Sequence, residues 1–261
     1  MALRAVAIAT LAFIVAWLLT AATDEGGVAW SERAARALPL APACAALGTA
    51  LALGRGRARG EALALEALGR APWQRTAAAA LGGAATALVA AALLGTSPTG
   101  ARAFYPALRR GAAWRFDAEH SAFVDTVQGL VVQSDGTLDV QSSAEEGAPS
   151  LPRGGRAAAA VATASAGIAF ALIAARLSSK KPARPVSGGG VGGSVVAPPI
   201  VTRSSRLATT LAVGTMVVSS IVLFQAAAAS LVPAVIAPLP AIVLLAWAAW
   251  RYVHDADAIR R

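Results

Sequence analysis

TAAAALGGAATALVAAALL, residues Thr76 to Leu94, decides how the rest of the chain is read. The stretch carries no charge, and roughly 20 mostly apolar residues in a helix cross about 30 Å of hydrocarbon. Five more segments have the same character: Ala5–Ala22, Ala35–Leu53, Ala157–Ala175, Leu207–Ala229 and Leu231–Trp250. Composition agrees. Of 261 residues, 56% are hydrophobic and 14% charged, and the mean hydropathy is +0.60, whereas a soluble chain carries about 25% charged residues. The expected fold class is therefore an all-α polytopic membrane protein with six transmembrane helices. The Arg4-led first segment resembles a signal peptide, but it is too long for an h-region and a second span follows closely, so it is read as a span.

Alternating spans place both termini on one side, and the arginines and lysines say which side. One face receives Arg4, the loop Arg55–Arg75, the loop Arg176–Arg206 and the C-terminal tail, in all 15 basic against 4 acidic residues. The other face keeps 8 basic and 10 acidic residues. The first face is expected to be cytoplasmic, so the net charge of +9 orients the spans and does not recruit nucleic acid. The single cysteine, Cys44, reads as a small hydrophobe between helices. His120 and His254 are too far apart in sequence to suggest a metal site.

The organisation expected is 3+3: residues 1–96 hold three spans, 97–155 form a small β-rich periplasmic insert, and 156–261 hold three more spans. In the insert, Trp114-Arg-Phe-Asp-Ala-Glu-His-Ser-Ala-Phe-Val-Asp runs into Gly129-Leu-Val-Val-Gln and Gly136-Thr-Leu-Asp-Val-Gln. Asp135-Gly136 is a hairpin signal. Two or three strands make no independent core, so the module is expected to pack on the membrane domain, a second copy or a partner. Residues 177–205, rich in Pro, Gly and Ser, read as a flexible cytoplasmic loop. Its glycine run lacks the Gly-Lys-Ser/Thr ending of a phosphate loop.

The connection around residues 60–69 is of another kind. Glu61-Ala-Leu-Ala-Leu-Glu-Ala-Leu is made of strong helix formers, and Gly69 followed by Pro72 supplies a stop. Leu65 and Leu68 are read as sharing one face, with Leu63 loosely beside it and Glu61 and Glu66 pointing elsewhere. Such a helix either lies on the membrane surface or docks in a groove of a soluble ATPase.

The segment from Leu38-Pro-Leu to Gly54, followed by Arg57-Ala-Arg-Gly-Glu-Ala-Leu-Ala-Leu-Glu-Ala-Leu-Gly-Arg-Ala-Pro-Trp-Gln-Arg, resembles the lipopolysaccharide-export permeases (LptF/LptG family). Glu61, Ala67 and Gly69 occupy the places of the family's Glu-Leu-x-Ala-x-x-Ala-x-Gly helix. Leu231-Val-Pro-Ala-Val-Ile-Ala-Pro-Leu-Pro-Ala is similar to the family's Pro-x-x-x-x-Trp-x-Pro-Asn approach to its last span. There Pro238 stands in the Trp position and Ala241 in the Asn position. The insert is shorter than the family's jellyroll.

The resemblance implies a permease subunit of an ABC transporter that exports lipopolysaccharide or a related lipid from the bacterial inner membrane. The implied partners are a cytoplasmic ABC ATPase and a second permease subunit, with room for a periplasmic bridge protein. The chain lacks a Walker A sequence, so it is not expected to be an enzyme or to hold a cofactor. Glu61, Leu65, Leu68 and Gly69 are the candidates for coupling to the ATPase. Arg33 and Arg36 are the candidates for meeting lipid phosphates. The alternative is a non-transporting assembly or scaffold protein whose periplasmic module binds a partner. Intramembrane catalysis finds little support, because the spans are almost free of ionisable groups. Gly82-Gly83 and the many alanines permit close helix approach, although a high-GC genome accounts for the same composition.

Overall fold

A computed structural model describes residues 1–22, 36–69, 71–96, 101, 103–105, 114–117, 122–125, 130–133, 135–140, 151–179 and 201–260. In chain order the helices are α1 (Ala2–Ala22), α2 (Ala41–Ala58), α3 (Glu61–Ala67) and α4 (Pro72–Thr96), then α5 (Gly155–Ser179), α6 (Val201–Ala228) and α7 (Leu239–Arg260). Short 3-10 turns, Leu38–Leu40 and Ala234–Ile236, lead into α2 and α7. Among the described residues, six helices are long and apolar enough to cross a bilayer: all but α3. Helix is the expected form for each, since a backbone amide left unpaired in hydrocarbon costs several kcal/mol.

α5 is the hub, packed against α4, α2 and α7. α1 lies on α2 and α4, while α6 touches mainly α7. Side chains at these contacts are small: one core cluster joins Leu53 of α2, Ala80 and Ala84 of α4, and Ala171 and Ala175 of α5. Cys44 is buried within α2, as a small hydrophobe would be. At Gly83 a Cβ would sit 2.5 Å from the Ala45 carbonyl oxygen, and at Gly48 it would sit 2.6 Å from Ala9 Cβ. Glycine at these points lets α4 and α1 approach α2 backbone to side chain, the packing mode that membranes favour.

Between α4 and α5 lies a four-stranded antiparallel meander, β1 (Trp114–Asp117), β2 (Ala122–Asp125), β3 (Leu130–Gln133) and β4 (Leu138–Val140). The stretch from Trp114 to Asp125, read as one unit, is folded into a hairpin with Trp114 opposite Asp125 and Asp117 opposite Ala122. That raises the strand count to four, one more than expected. The Asp135-Gly136 turn forms as expected: Gly136 has φ +82°, and Asp135 Oδ1 accepts from the Thr137 amide at 2.9 Å and its hydroxyl at 2.6 Å. The hydroxyl and amide of Thr137 hold the Asp135 carboxyl below its ordinary range. The register aligns Phe116, Phe123 and Val132 across one face. The two phenyl rings meet at 5.1 Å and both remain more than half exposed.

The last span departs from the sequence reading. It was expected from Leu231 to Trp250, but the helix begins at Leu239 and runs to Arg260. Pro233 is extended, with ψ 137°, and three prolines in eight residues (Pro233, Pro238, Pro240) have no N–H to donate to a preceding turn, so a helix can begin at them but not run through them. The residues expected to form the flexible loop 177–205 are helical at both margins, to Ser179 and from Val201. The intervening residues lie outside the described ones.

α6 closes in a Schellman motif, in which Leu231 N–H donates to Ala226 O at 2.9 Å and Ser230 N–H to Ala227 O at 3.1 Å. The left-handed position of that motif, usually glycine, is held by Ser230 at φ 60°. Left-handed backbone costs an L-residue roughly 1–2 kcal/mol, and Ser230 is exposed. Ser230→Gly is therefore expected to stabilise the protein by about 1 kcal/mol, read as a higher melting temperature in detergent, and Ser230→Val to lower it.

Candidate functional site

The starts of α1 and α4 and the ends of α2, α5 and α7 gather at one end of the bundle, with α3 among them. Contacts fix this arrangement: Arg4 of α1 reaches Glu61 of α3, and the Tyr252 hydroxyl of α7 donates to Trp73 O of α4 at 3.1 Å. Thr76 of α4 completes that link, its hydroxyl 2.7 Å from that of Tyr252. Arg55, Arg57, Arg59, Arg75, Arg176 and Arg251 all belong to this end, so the arginines assigned to one face by sequence are also assembled in space.

α3 is bracketed by two left-handed glycines, Gly60 at φ +70° and Gly69 at φ +76°. Gly69 ends the helix as its sequence position suggests, with Leu68 N–H donating to Ala64 O and Gly69 N–H to Glu66 O. No side chain of α3 is buried. Its two acids turn back onto the chain's own arginines. Arg4 Nη1 lies 2.6 and 2.7 Å from the two Glu61 carboxylate oxygens, and Arg75 Nη1 lies 3.8 Å from Glu66. The hydrogen bond from Arg4 depresses the Glu61 carboxyl below its ordinary 4.5, and the charges of Arg4 and Arg59 add to this.

The reading of the helix faces needs correction. Glu61 and Leu65 are four residues apart and so lie above one another on a helix. Both line a groove of about 360 Å³ with Met1, Leu3, Arg4, Gln74, Arg75 and Ala78. Leu65 is therefore half-buried beside Glu61, while Leu68, 78% exposed, and Leu63, 71% exposed, point outward. Leu65 and Leu68, three residues apart, remain neighbours on the helix, but Leu65 lies in the groove, and the exposed leucines are Leu68 and, on another side, Leu63. Of the lipid-facing candidates, Arg33 lies outside the described residues. Arg36 is exposed ahead of α2, at the end of the bundle opposite α3.

That opposite end is closed by aromatic packing. Phe224 of α6 meets Tyr105 at 5.2 Å and Phe104 at 5.3 Å, and the Tyr105 hydroxyl donates to Gly155 O at 3.1 Å. Burial pushes the Tyr105 phenol up to about 12. Sequence reading missed both this cluster and the Arg4–Glu61 pair. The latter joins residues 57 apart, brought together by the packing of α1 on α2 and α4.

The chain matches no protein-family model and no curated protein sequence.

Because the Glu61 carboxyl is depressed by Arg4, the pair contributes in full above the ordinary glutamate range and is lost as pH falls through the depressed value. Hydrogen exchange at residues 61–68, corrected for intrinsic rate, is expected to stay flat from about pH 7 to 5 and to rise in stronger acid. Arg4→Gln should show the raised exchange already at neutral pH; identical profiles in the variant and the parent would contradict the pairing.

Proposed function

We propose that the protein is a permease subunit of an ABC transporter that moves lipopolysaccharide or a related amphiphilic lipid out of the bacterial inner membrane. The observation that carries this reading is α3. It is a short helix between two long apolar helices, at the arginine-rich end, with no buried side chain and with Leu63 and Leu68 facing away from the bundle. A helix with that exposure fits a groove on a separate ATPase. The positive-inside pattern supports a cytoplasmic position for this end and for both termini.

In this mechanism Leu63 and Leu68 are the apolar anchors. Glu61 does not face the ATPase; with Arg4 it ties α3 to the start of α1. ATP-driven closure of the ATPase pulls α3, and the pull passes to α2 and α4 through the chain and to α1 through the ion pair. The second permease subunit lies beside the edge helices: only 11% of the α1 span and 17% of the α6 span are buried within the chain, against 50% for α2, α4 and α5. A lipid with acyl chains and a phosphorylated head group needs a lateral route between such subunits. The three-plus-three layout around an insert and the match at Glu61, Ala67 and Gly69 support the same family.

A second reading is favoured by the sheet. Phe116 and Phe123 form an exposed apolar pair, as a module that binds a partner protein would present. On this reading the chain is an assembly protein with no ATPase.

Affinity purification from native membranes in mild detergent, followed by mass spectrometry, separates the two. Recovery of an ABC-type ATPase together with a second permease is expected. Leu63→Asp with Leu68→Asp should reduce ATPase recovery at least about tenfold, as loss of an interface anchor does, while leaving membrane insertion intact. Unchanged recovery would place α3 on the membrane surface instead. Absence of an ATPase, with loss of a partner in Phe116→Ser, would favour the assembly reading.

A further inference from the structure

The groove beside α3 has chemistry that the Arg4–Glu61 pair does not use up. At about 360 Å³ it falls within the range of small-molecule pockets, about 300–1,000 Å³. Its polar lining comes from three helices: Arg4 of α1, Glu61 of α3, and Gln74 and Arg75 of α4. Only 10% of the Arg75 side chain is exposed, yet its contact with Glu66 is 3.8 Å, beyond hydrogen-bond reach. Arg57 of α2 stands close enough to Arg75 for the two positive charges to repel. Arg4 commits a single nitrogen, Nη1, to both Glu61 oxygens, and a guanidinium carries five N–H donors. Arg59 adds its charge at Glu61. Among the described residues, four arginines thus meet two glutamates in and around the groove, an excess of two positive charges in a partly buried place.

We propose that this groove binds a phosphomonoester. The charge argues for that class: a phosphomonoester carries about −1.5 to −2 at pH 7, which matches the excess, whereas a carboxylate carries only about −1. The donors argue for it as well. Arg4 and Arg75 offer planar N–H forks from two helices, the geometry that phosphate oxygens accept, and Gln74 adds an amide N–H. Burial of Arg75 strengthens its attraction for an anion beyond that of the exposed arginines at the same end. Leu3, on the groove wall, is 85% exposed, so the ester substituent has an open way out, into water for a soluble phosphate or along apolar surface for phosphatidic acid. A phosphate on Arg75 competes with Glu66 for it, so occupancy loosens one of the two ion pairs that hold α3. This holds whether or not α3 meets an ATPase.

Full-length protein in maltoside micelles tests the proposal with two probes: glycerol 3-phosphate by titration calorimetry, and phosphatidic acid against phosphatidylcholine by native mass spectrometry. Saturable binding of at least one phosphomonoester is expected. A response to glycerol 3-phosphate identifies a soluble ligand, and retention of phosphatidic acid alone identifies a lipid. Arg75→Gln should weaken that binding at least about tenfold, as loss of a charged hydrogen-bond partner does, whereas Arg55→Gln, exposed at the same end, should leave it unchanged. Because Arg75 is buried, Leu65→Glu gives a second reading. It lies on a helix with no buried side chain and places a carboxylate in the groove as a competitor, so it should weaken binding by a similar factor at an unchanged melting temperature. Binding of neither probe, equal retention of phosphatidylcholine, undiminished binding in Leu65→Glu or equal loss in Arg55→Gln would overturn the proposal.

Discussion

A backbone in hydrocarbon cannot give up its hydrogen bonds, and a bundle of alanine-rich helices has little side-chain volume with which to hold itself together. Both facts point the same way. With lipid as apolar as leucine, association depends on how closely the helices approach and on how many atoms then touch. Ala45 against Gly83, and Ala9 against Gly48, are two places where that approach is close enough to leave no room for a side chain. A side chain at either glycine would push the helices apart at that point, so the close packing of α2 with α1 and α4 depends on a few missing atoms.

The same economy of side chains makes the bundle uneven. α5 has neighbours on several sides, while α1 and α6 lie at its margins and turn much of their leucine, isoleucine and valine outward. The ends are fastened differently. Aromatic rings and the Tyr105 hydroxyl join the loops and helix ends at one end, and hydrogen bonds and ion pairs join helices at the other. The first is buried and apolar and the second is wet and charged, so only the second responds to pH or to salt.

Much of the architecture is legible in the sequence because its signals are one-dimensional. Uncharged length marks the spans, Asp135-Gly136 marks a turn, and Gly69 marks a helix end. What is missed depends on rotation about a helix axis. Alanine on all sides gives little indication of which face is inside, so nothing in residues 172–177 or 247–251 announces that Arg176, Thr209 and Arg251 line one crevice. The Arg4–Glu61 pair is hidden for the same reason. The Glu61 and Leu65 faces were open to arithmetic, since a spacing of four is one helical turn. The proline-rich approach to α7 shows hydropathy and backbone in conflict: Leu231–Trp250 is apolar enough for a span, yet Pro233, Pro238 and Pro240 defer the helix to Leu239.

The ion pair at the start of α1 also has a mechanical side. A helix of 21 residues is about 32 Å long and stiff, so it acts as a lever with its load at the far end. If that far end is held, a shift of about 2 Å at Arg4 is a tilt of about 4° over that length. Because Glu61 grips Arg4 through both oxygens, even a small displacement of the seven-residue α3 becomes a rotation of the least buried span in the bundle.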